Sequence, residues 1–391
     1  MNRILIISIV WVLFTNHAGS QVRTPHVRPG AARPETYLPL IGTRQIALVA
    51  NHTSLVEGVH LLDTLLNSGI PPGQVAKIFC PEHGFRGDHG AGIPVDDHTD
   101  PVTGVRVVSL YGSNKKPTPQ QLSGVELVIF DLQDIGVRFF TYISTLHYAM
   151  EACAENGIPM LVLDRPNPNG SYVDGPVLEP EYTSFVGIHP IPVVYGLTIG
   201  ELAQMINQEG WLCGGIQCDL TIVKCENYSR RFPCSLPVPP SPNLTNDHAI
   251  LLYPSTCFFE GTIISEGRGT AMPFEVYGHP RLNGKFSFTP ITIEGVAANP
   301  KFKGITCFGT DLRGFSPGDG WNRLFLEFLI EAYDSYPEKG DFFIPFFEKL
   351  AGTASLRSQI EAGWNQAEIR SSWREGIERY MGMRKKYLIY D

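Results

Sequence analysis

The sequence has little that would tie it to a nucleic acid or a bilayer. Lysine and arginine number 31 against 39 aspartates and glutamates, a formal net charge of −8, so it carries no electrostatic footprint for a polyanion and no nucleic-acid partner is expected. An acidic polymer would have to be gripped locally, by a few arginines. After the first twenty residues no segment reaches the roughly 18 apolar residues of a membrane-spanning helix. The loop after the first predicted strand, "ANHTSLVEG", holds one glycine where a dinucleotide fingerprint needs three, and no glycine-lysine-serine or glycine-lysine-threonine Walker loop occurs. Cofactor-driven redox chemistry and nucleotide hydrolysis therefore fit poorly, and no cofactor is expected. A G-x-S-x-G nucleophile elbow and a cysteine-histidine signature are also missing. Of the eight cysteines, four fall in "CGGIQCDLTIVKCENYSRRFPC", yet none form a C-x-x-C pair. That spacing speaks against a tetrathiolate zinc site and leaves buried free thiols or one or two structural disulfides. There is no internal repeat and no low-complexity tract.

What is present describes a globular chain of two unequal domains: 391 residues, 43% hydrophobic and 18% charged. The opening "MNRILIISIVWVLFTNHAGSQV" has an arginine, an apolar run from Ile4 to Phe14, and small residues before Gln21. It reads as a secretory signal over residues 1–20, which predicts a periplasmic or secreted protein without an integral membrane segment once processed. Residues 21–40, rich in proline and arginine, read as an arm or linker. From 41 to 235 short apolar strands alternate with helical patterns: "RQIALVAN", "QVAKIFC", "GVRVVSLYG", "GVELVIFDLQDIG", "IPMLVLDRPNP" and "CDLTIVKC" as strands, and "VEGVHLLDTLLNSG", "YISTLHYAMEACAENG" and "TIGELAQMINQEG" as helices. The last opens with Thr198 and Glu201 three residues on, a capping box. Apolar strands separated by helices predict a doubly wound, mostly parallel α/β sheet covered on both faces. The proline cluster "LPVPPSPNL" breaks the rhythm, and 236–391 reads as a smaller α+β auxiliary domain.

Ligands of an open parallel sheet bind beyond the carboxyl ends of its strands. Those ends carry Asn51 and His52, then Glu82 and His83, Tyr111, Asp131 and Asp134, and finally Asp164, Arg165 and Asn167. Five strands in a row ending in polar groups predict one shared crevice. Within "FCPEHGFRGDHGAG", His83, Asp88 and His89 offer metal ligands, but the run has too much glycine to fix them by helical periodicity, and no metal is expected. The better reading is acid catalysis on an acetal, in which a carboxylic acid protonates the leaving oxygen and a second group assists. Glu82, between the apolar Phe79 and Phe85, suits the acid. His83 is an orienting group, and Asp131, Asp134, Asp164 and Glu179 are available partners. Further along, "PSPNLTN" supplies Asn243, and "FEGTIISEGRGT" supplies Glu260, Glu266 and Arg268, the arginine projected between two glycines as a bidentate partner for a carboxylate.

Long motifs then carry a resemblance: "PEHGFRG", "DLQDIGVRFFTYISTL", "DRPNPNG", "DGPVLE", "PVVYGLTIGELA", "PSPNL", "YPSTCFFEGTIISEGRGTAMPFEVYG" and "SWREGIERYMGMRKKYLIY". Together they resemble the bacterial DUF1343 family, associated with NamZ-type exo-β-N-acetylmuramidases. The resemblance implies a Rossmann-like domain joined to a smaller auxiliary domain, with the active site between them. It also implies release of a terminal, non-reducing N-acetylmuramic acid from peptidoglycan fragments, the expected partners, with Glu82 as the catalytic glutamate. Tyr195 stands where the family often carries histidine. With that substrate, Arg86 or Arg268 could read the lactyl carboxylate, and Tyr142 and Tyr195 could pack on the sugar or bond its acetamido group. A silent wall-fragment binding protein and a metal-dependent hydrolase are the rival readings.

Overall fold

The structure, a computed structural model, describes residues 26–81, 84–86 and 97–391. Seven strands form the main sheet: β1 (Ile46–Ala50), β4 (Val75–Cys80), β5 (His98–Thr99), β6 (Arg106–Ser109), β7 (Leu127–Asp131), β8 (Met160–Leu163) and β9 (Leu220–Val223). Their order is β5-β6-β4-β1-β7-β8-β9. Every neighbouring pair is parallel except β5 with β6. Without that short edge strand the order is that of a Rossmann sheet, 3-2-1-4-5-6, whose direction of winding reverses beside β1.

Side-chain alternation explains why both faces are covered. Ala47, Val49, Phe130 and Val162 face one core, which includes residues of α3 (Tyr142–Asn156) and α4 (Ile199–Gln208). Ile46, Leu48, Ile129 and Leu163 face the other, with α1 (Pro34–Ile41) and α2 (Leu61–Asn67). The α4 capping box forms as its spacing predicts, Thr198 Oγ1 accepting from Glu201 N at 3.2 Å and Glu201 accepting from Thr198 N at 2.9 Å.

One predicted helix is shortened. The stretch "VEGVH" is not helical; it forms a small hairpin of β2 (Leu55–Val56) and β3 (Val59–His60). Glu57 and Gly58 take φ of 50° and 85° at its tip, which a helix cannot accommodate. Helix α2 starts only after His60, whose Nδ1 accepts from Leu62 N.

The rest of the chain carries α5 (Asp247–Thr256), an antiparallel sheet of β10 (Val276–His279), β11 (Phe286–Phe288) and β12 (Cys307–Asp311), and α6 (Glu327–Ser335), α7 (Phe346–Ala351), α8 (Ser355–Glu361), α9 (Gln366–Ser372) and α10 (Arg374–Arg384). Val276, Phe288 and Cys307 of the antiparallel sheet form a small cluster of their own, while the helices and Tyr277 of β10 share the α3/α4 core of the main sheet. Arg138, fully buried, ties them to it by donating to the carbonyls of Pro176, Ile191, Leu350 and Ala351, the last two at the carboxyl end of α7. Its partners are all neutral, and burial pulls its pKa down to about 9. All eight cysteines are free thiols, six of them buried. No helix among the described residues is long and apolar enough to cross a membrane.

Candidate active site

The loop after β1 sits where the winding reverses, and its own side chains fill the place. Asn51 Oδ1 accepts from Thr53 N and Oγ1, Ser54 Oγ donates to Asp131 O, and Gln133 N donates to Thr53 Oγ1. Asn51 Nδ2 donates to Tyr142 Oη at 2.6 Å, and that hydroxyl reaches Pro240 O. His52 Nε2 lies 2.9 Å from Pro239 O, an acceptor, so this nitrogen carries the ring hydrogen. Burial lowers the His52 pKa and favours the neutral ring. The segment 239–240 is thereby strapped across the carboxyl edge of β1.

Beside that strap the sheet edge meets the C-terminal elements in a cleft of about 620 Å³. Tyr111 and Thr141 contribute from the sheet side, and Glu260, Glu266, Arg268 and Lys301 from the other. The volume suits one sugar residue with its substituents. Arg268 is projected as the flanking glycines predict: Gly267 and Gly269 take φ of 81° and 80°. A Cβ on Gly269 would stand 2.5 Å from Ile291 O. The guanidinium donates from Nε and Nη2 to Glu260 Oε1 at 2.9 and 2.6 Å and lies 5.0 Å from the Phe274 ring centre. Phe274 itself is held at a φ of 64°, a strained conformation for an aromatic residue. Burial works against the arginine's charge, but Glu260 and Glu266 outweigh it and raise the Arg268 pKa. Its Nη1 has no hydrogen-bond partner among the described residues. Asn243 stands behind the same wall, its Nδ2 on Val296 O at 3.3 Å.

Glu82 and His83, and the alternative metal ligands Asp88 and His89, lie outside the described residues. Several other expected site residues have partners that explain their burial without a substrate. Asp131, expected to be catalytic, is wholly buried and pairs with Arg165 through both oxygens, at 2.5 and 2.8 Å. Asp164, expected likewise, accepts from Arg165 N, Gly200 N, Thr198 Oγ1 and Tyr390 Oη, anchoring the start of α4 and the chain's end. Burial raises its pKa to about 6. Asn167 bridges Leu197 O and Asn169 N. Asp134 accepts from Gly136 N and from the Tyr195 hydroxyl; burial lifts its pKa to about 6, and Tyr195 is itself fully buried, so neither can pack on a sugar here. Arg86 is held by Asp100 and Asp63 rather than left open for a ligand. Glu179 accepts from Thr353 and lines a separate depression with Trp373 and Arg379.

The structure adds two cleft residues that were not expected site residues, Lys301 and Thr141, and moves Glu266 from a loop acid to a wall of the cleft. Lys301 sits in "ANPKFKG", a stretch with no chemical motif to mark it. A larger cavity of about 750 Å³ opens at the ends of β7, β8 and β9. Its buried cation, Arg165, is committed to Asp131, so the smaller cleft has the better chemistry.

A Rossmann-ordered sheet without a phosphate loop, joined to an α+β unit across a sugar-sized cleft of acidic residues and a projected arginine, defines an α/β glycosidase. The chain belongs to the NamZ family: the family model "Exo-beta-N-acetylmuramidase NamZ, N-terminal" matches residues 46–248, and "Exo-beta-N-acetylmuramidase NamZ, C-terminal" matches residues 251–390. It is 41% identical over 370 residues to the peptidoglycan β-N-acetylmuramidase NamZ of Bacillus subtilis, covering 89% of this chain and 87% of that one. Two crystal structures of DUF1343 family proteins from Bacteroides fragilis share the fold. One has a TM-score of 0.87 at 44% identity over 94% of this chain and 99% of that one. The other has 0.79 at 27% over 93% and 99%.

Proposed function

We propose that the chain hydrolyses the β-glycosidic bond of a terminal, non-reducing N-acetylmuramic acid in peptidoglycan fragments, releasing the sugar within the cleft that Arg268 enters. The observation that carries this reading is the paired-glycine loop, which delivers a cation whose Nη1 has no partner among the described residues into a cavity of about 620 Å³. Muramic acid differs from glucosamine by a lactyl carboxylate, and a guanidinium is the natural reader of that group. Glu82 is the acid that protonates the leaving oxygen, supported by its place at the end of β4 between Phe79 and Phe85. Asn51, His52 and Tyr142 hold the 239–240 strap at the sheet edge, and Glu260 fixes the arginine's orientation. The N-terminal apolar run supports export to the periplasm or beyond, where wall fragments arise.

The test is incubation with a chromogenic β-N-acetylmuraminide and its glucosaminide counterpart, with and without chelator. Cleavage of the muraminide alone, indifferent to chelator, is expected. Glu82→Gln should fold and bind but release almost no sugar. Equal cleavage of both substrates would remove the role of Arg268, and undiminished turnover by Glu82→Gln would remove that of Glu82.

A further inference from the structure

Buried carboxylates are stable when donors surround them, and nearly every one here obeys. Asp131 and Asp100 accept from Arg165 and Arg86, Glu201 from Arg230, Glu151 from Lys116, Asp174 from Arg370, and Glu275 from Asn246 and His248. Asp164 has four donors, and Asp134 has Gly136 N and Tyr195. Glu266 departs from this pattern. It is 3% exposed, and its buried Oε2 accepts no hydrogen bond among the described residues.

Its neighbours are charged but otherwise engaged. Lys301 Nζ forms an ion pair with Glu266 Oε2 at 3.1 Å while donating to the carbonyls of Phe259 and Ile264 at 2.7 and 2.9 Å. Arg268 Nε lies 3.6 Å from Oε1, and its hydrogen goes to Glu260. Glu266 is thus an anion held between two cations by charge, with no well-directed hydrogen bond to either, and it lines the same cleft as Arg268. A buried group left in that state is costly to hold and is found where function requires it.

Resting on the function proposed above, we propose that Glu266 is the second catalytic carboxylate of the cleft, accepting a hydrogen bond from the reacting end of the bound sugar. As the bond from C1 to the leaving oxygen breaks, its electron pair departs with that oxygen, which takes the acid's proton. Positive charge then builds on C1 and the ring oxygen, and the Glu266 carboxylate opposes it. Water adds its hydroxyl to C1, and its remaining proton restores the acid through solvent. Arg268 reads the substrate; Glu266 acts on its transition state.

Glu266→Gln keeps the shape and removes the charge, while Lys301 keeps its two carbonyls and Arg268 its bond to Glu260. On the chromogenic muraminide this variant should lose about 100-fold or more in kcat, with KM within about threefold and an unchanged melting temperature. Glu266→Ala should regain at least about tenfold of its lost activity with added sodium formate, a small carboxylate able to occupy the vacated place. A group that merely held the arginine and lysine in position would raise KM and would not respond to formate. Wild-type turnover with near-normal kcat in Glu266→Gln overturns the assignment of Glu266 alone. A wild type that releases no sugar from the muraminide overturns both this assignment and the function beneath it.

Discussion

Replacing Asp131 by asparagine separates a structural role from a chemical one. The side chains of Asp131 and Arg165 are 0% and 2% exposed and meet through two parallel bonds. At a charge separation of about 4 Å and an effective dielectric constant of about 20, the attraction amounts to about 4 kcal/mol. An asparagine there keeps one acceptor but turns an amide donor toward the guanidinium, leaving the buried cation uncompensated. Removing one member of such a pair costs about 3–5 kcal/mol, a large part of the roughly 5–15 kcal/mol that holds an ordinary domain together. Urea unfolding should therefore show a much lower midpoint for Asp131→Asn. The molecules that remain folded should turn over the muraminide within about tenfold of wild type. Pairing Asp131→Leu with Arg165→Met removes both charges and should recover most of the loss. A variant with a wild-type urea midpoint and a turnover about a thousandfold lower would refute this reasoning and return Asp131 to the catalytic machinery.

The other predictions concern the cleft, the joint between the units and the buried acids. Arg268→Met should lower kcat/KM for the muraminide by about 10- to 100-fold, the worth of one charge-assisted bond, while leaving binding of a glucosaminide almost unchanged. Gly269→Ala should cut muraminide turnover and destabilise the fold by at least about 1 kcal/mol, because its Cβ would meet Ile291 O at 2.5 Å with φ at 80°. Arg138→Met strands two carbonyls at the end of α7 and should cost about 2–4 kcal/mol in urea unfolding, Arg138→Lys less, because an ammonium can still reach up to three acceptors. Burial raises Asp134 from 3.8 to about 6, so its contribution to stability is full below pH 3.8 and is lost as pH rises through about 6. Asp134→Asn should therefore flatten the fall in urea midpoint across that window. His189, whose pKa burial depresses, acts in the opposite sense, its contribution being lost as pH drops below 6.5.

The order of the central strands and of α3 and α4 was legible because those strands are apolar runs, α3 ends on Gly157 and α4 opens on a capping box, features local to a few residues. The hairpin at 55–60 was not, since its apolar spacing continues that of α2 and only Glu57 and Gly58 mark the turn. The projected arginine was legible from its two glycines. The ranking of the acids was not: Asp131, Asp164 and Glu266 are equally ionisable on paper, and what separates them is the number of donors within reach. Those donors come from residues up to 226 positions away, as with Tyr390 on Asp164. Lys301 carries no motif at all; the packing of its loop against Phe259 and Ile264 alone brings it to the cleft.

A Rossmann strand order invites the expectation of a nucleotide at the point where winding reverses, and the physical reason it fails here lies in the β1 loop. Phosphates are held there by free backbone N–H groups and by glycines that let the ligand approach. In this chain Asn51 N donates to Ser54 Oγ, Thr53 N to Asn51 Oδ1 and Ser54 N to Asn51 O. The loop's donors close on its own side chains, and Pro239 and Pro240 lie against His52 and Tyr142 at the same edge. With the reversal point filled, an open cleft lies at the neighbouring edge, where the C-terminal elements bring a second set of ionisable groups. The sheet's contribution is then positional: Tyr111 and Thr141 stand on its side of the cleft, and the opposite wall supplies Glu266 and Arg268. The fold alone does not imply this chemistry; the side chains at the seam between its two units do.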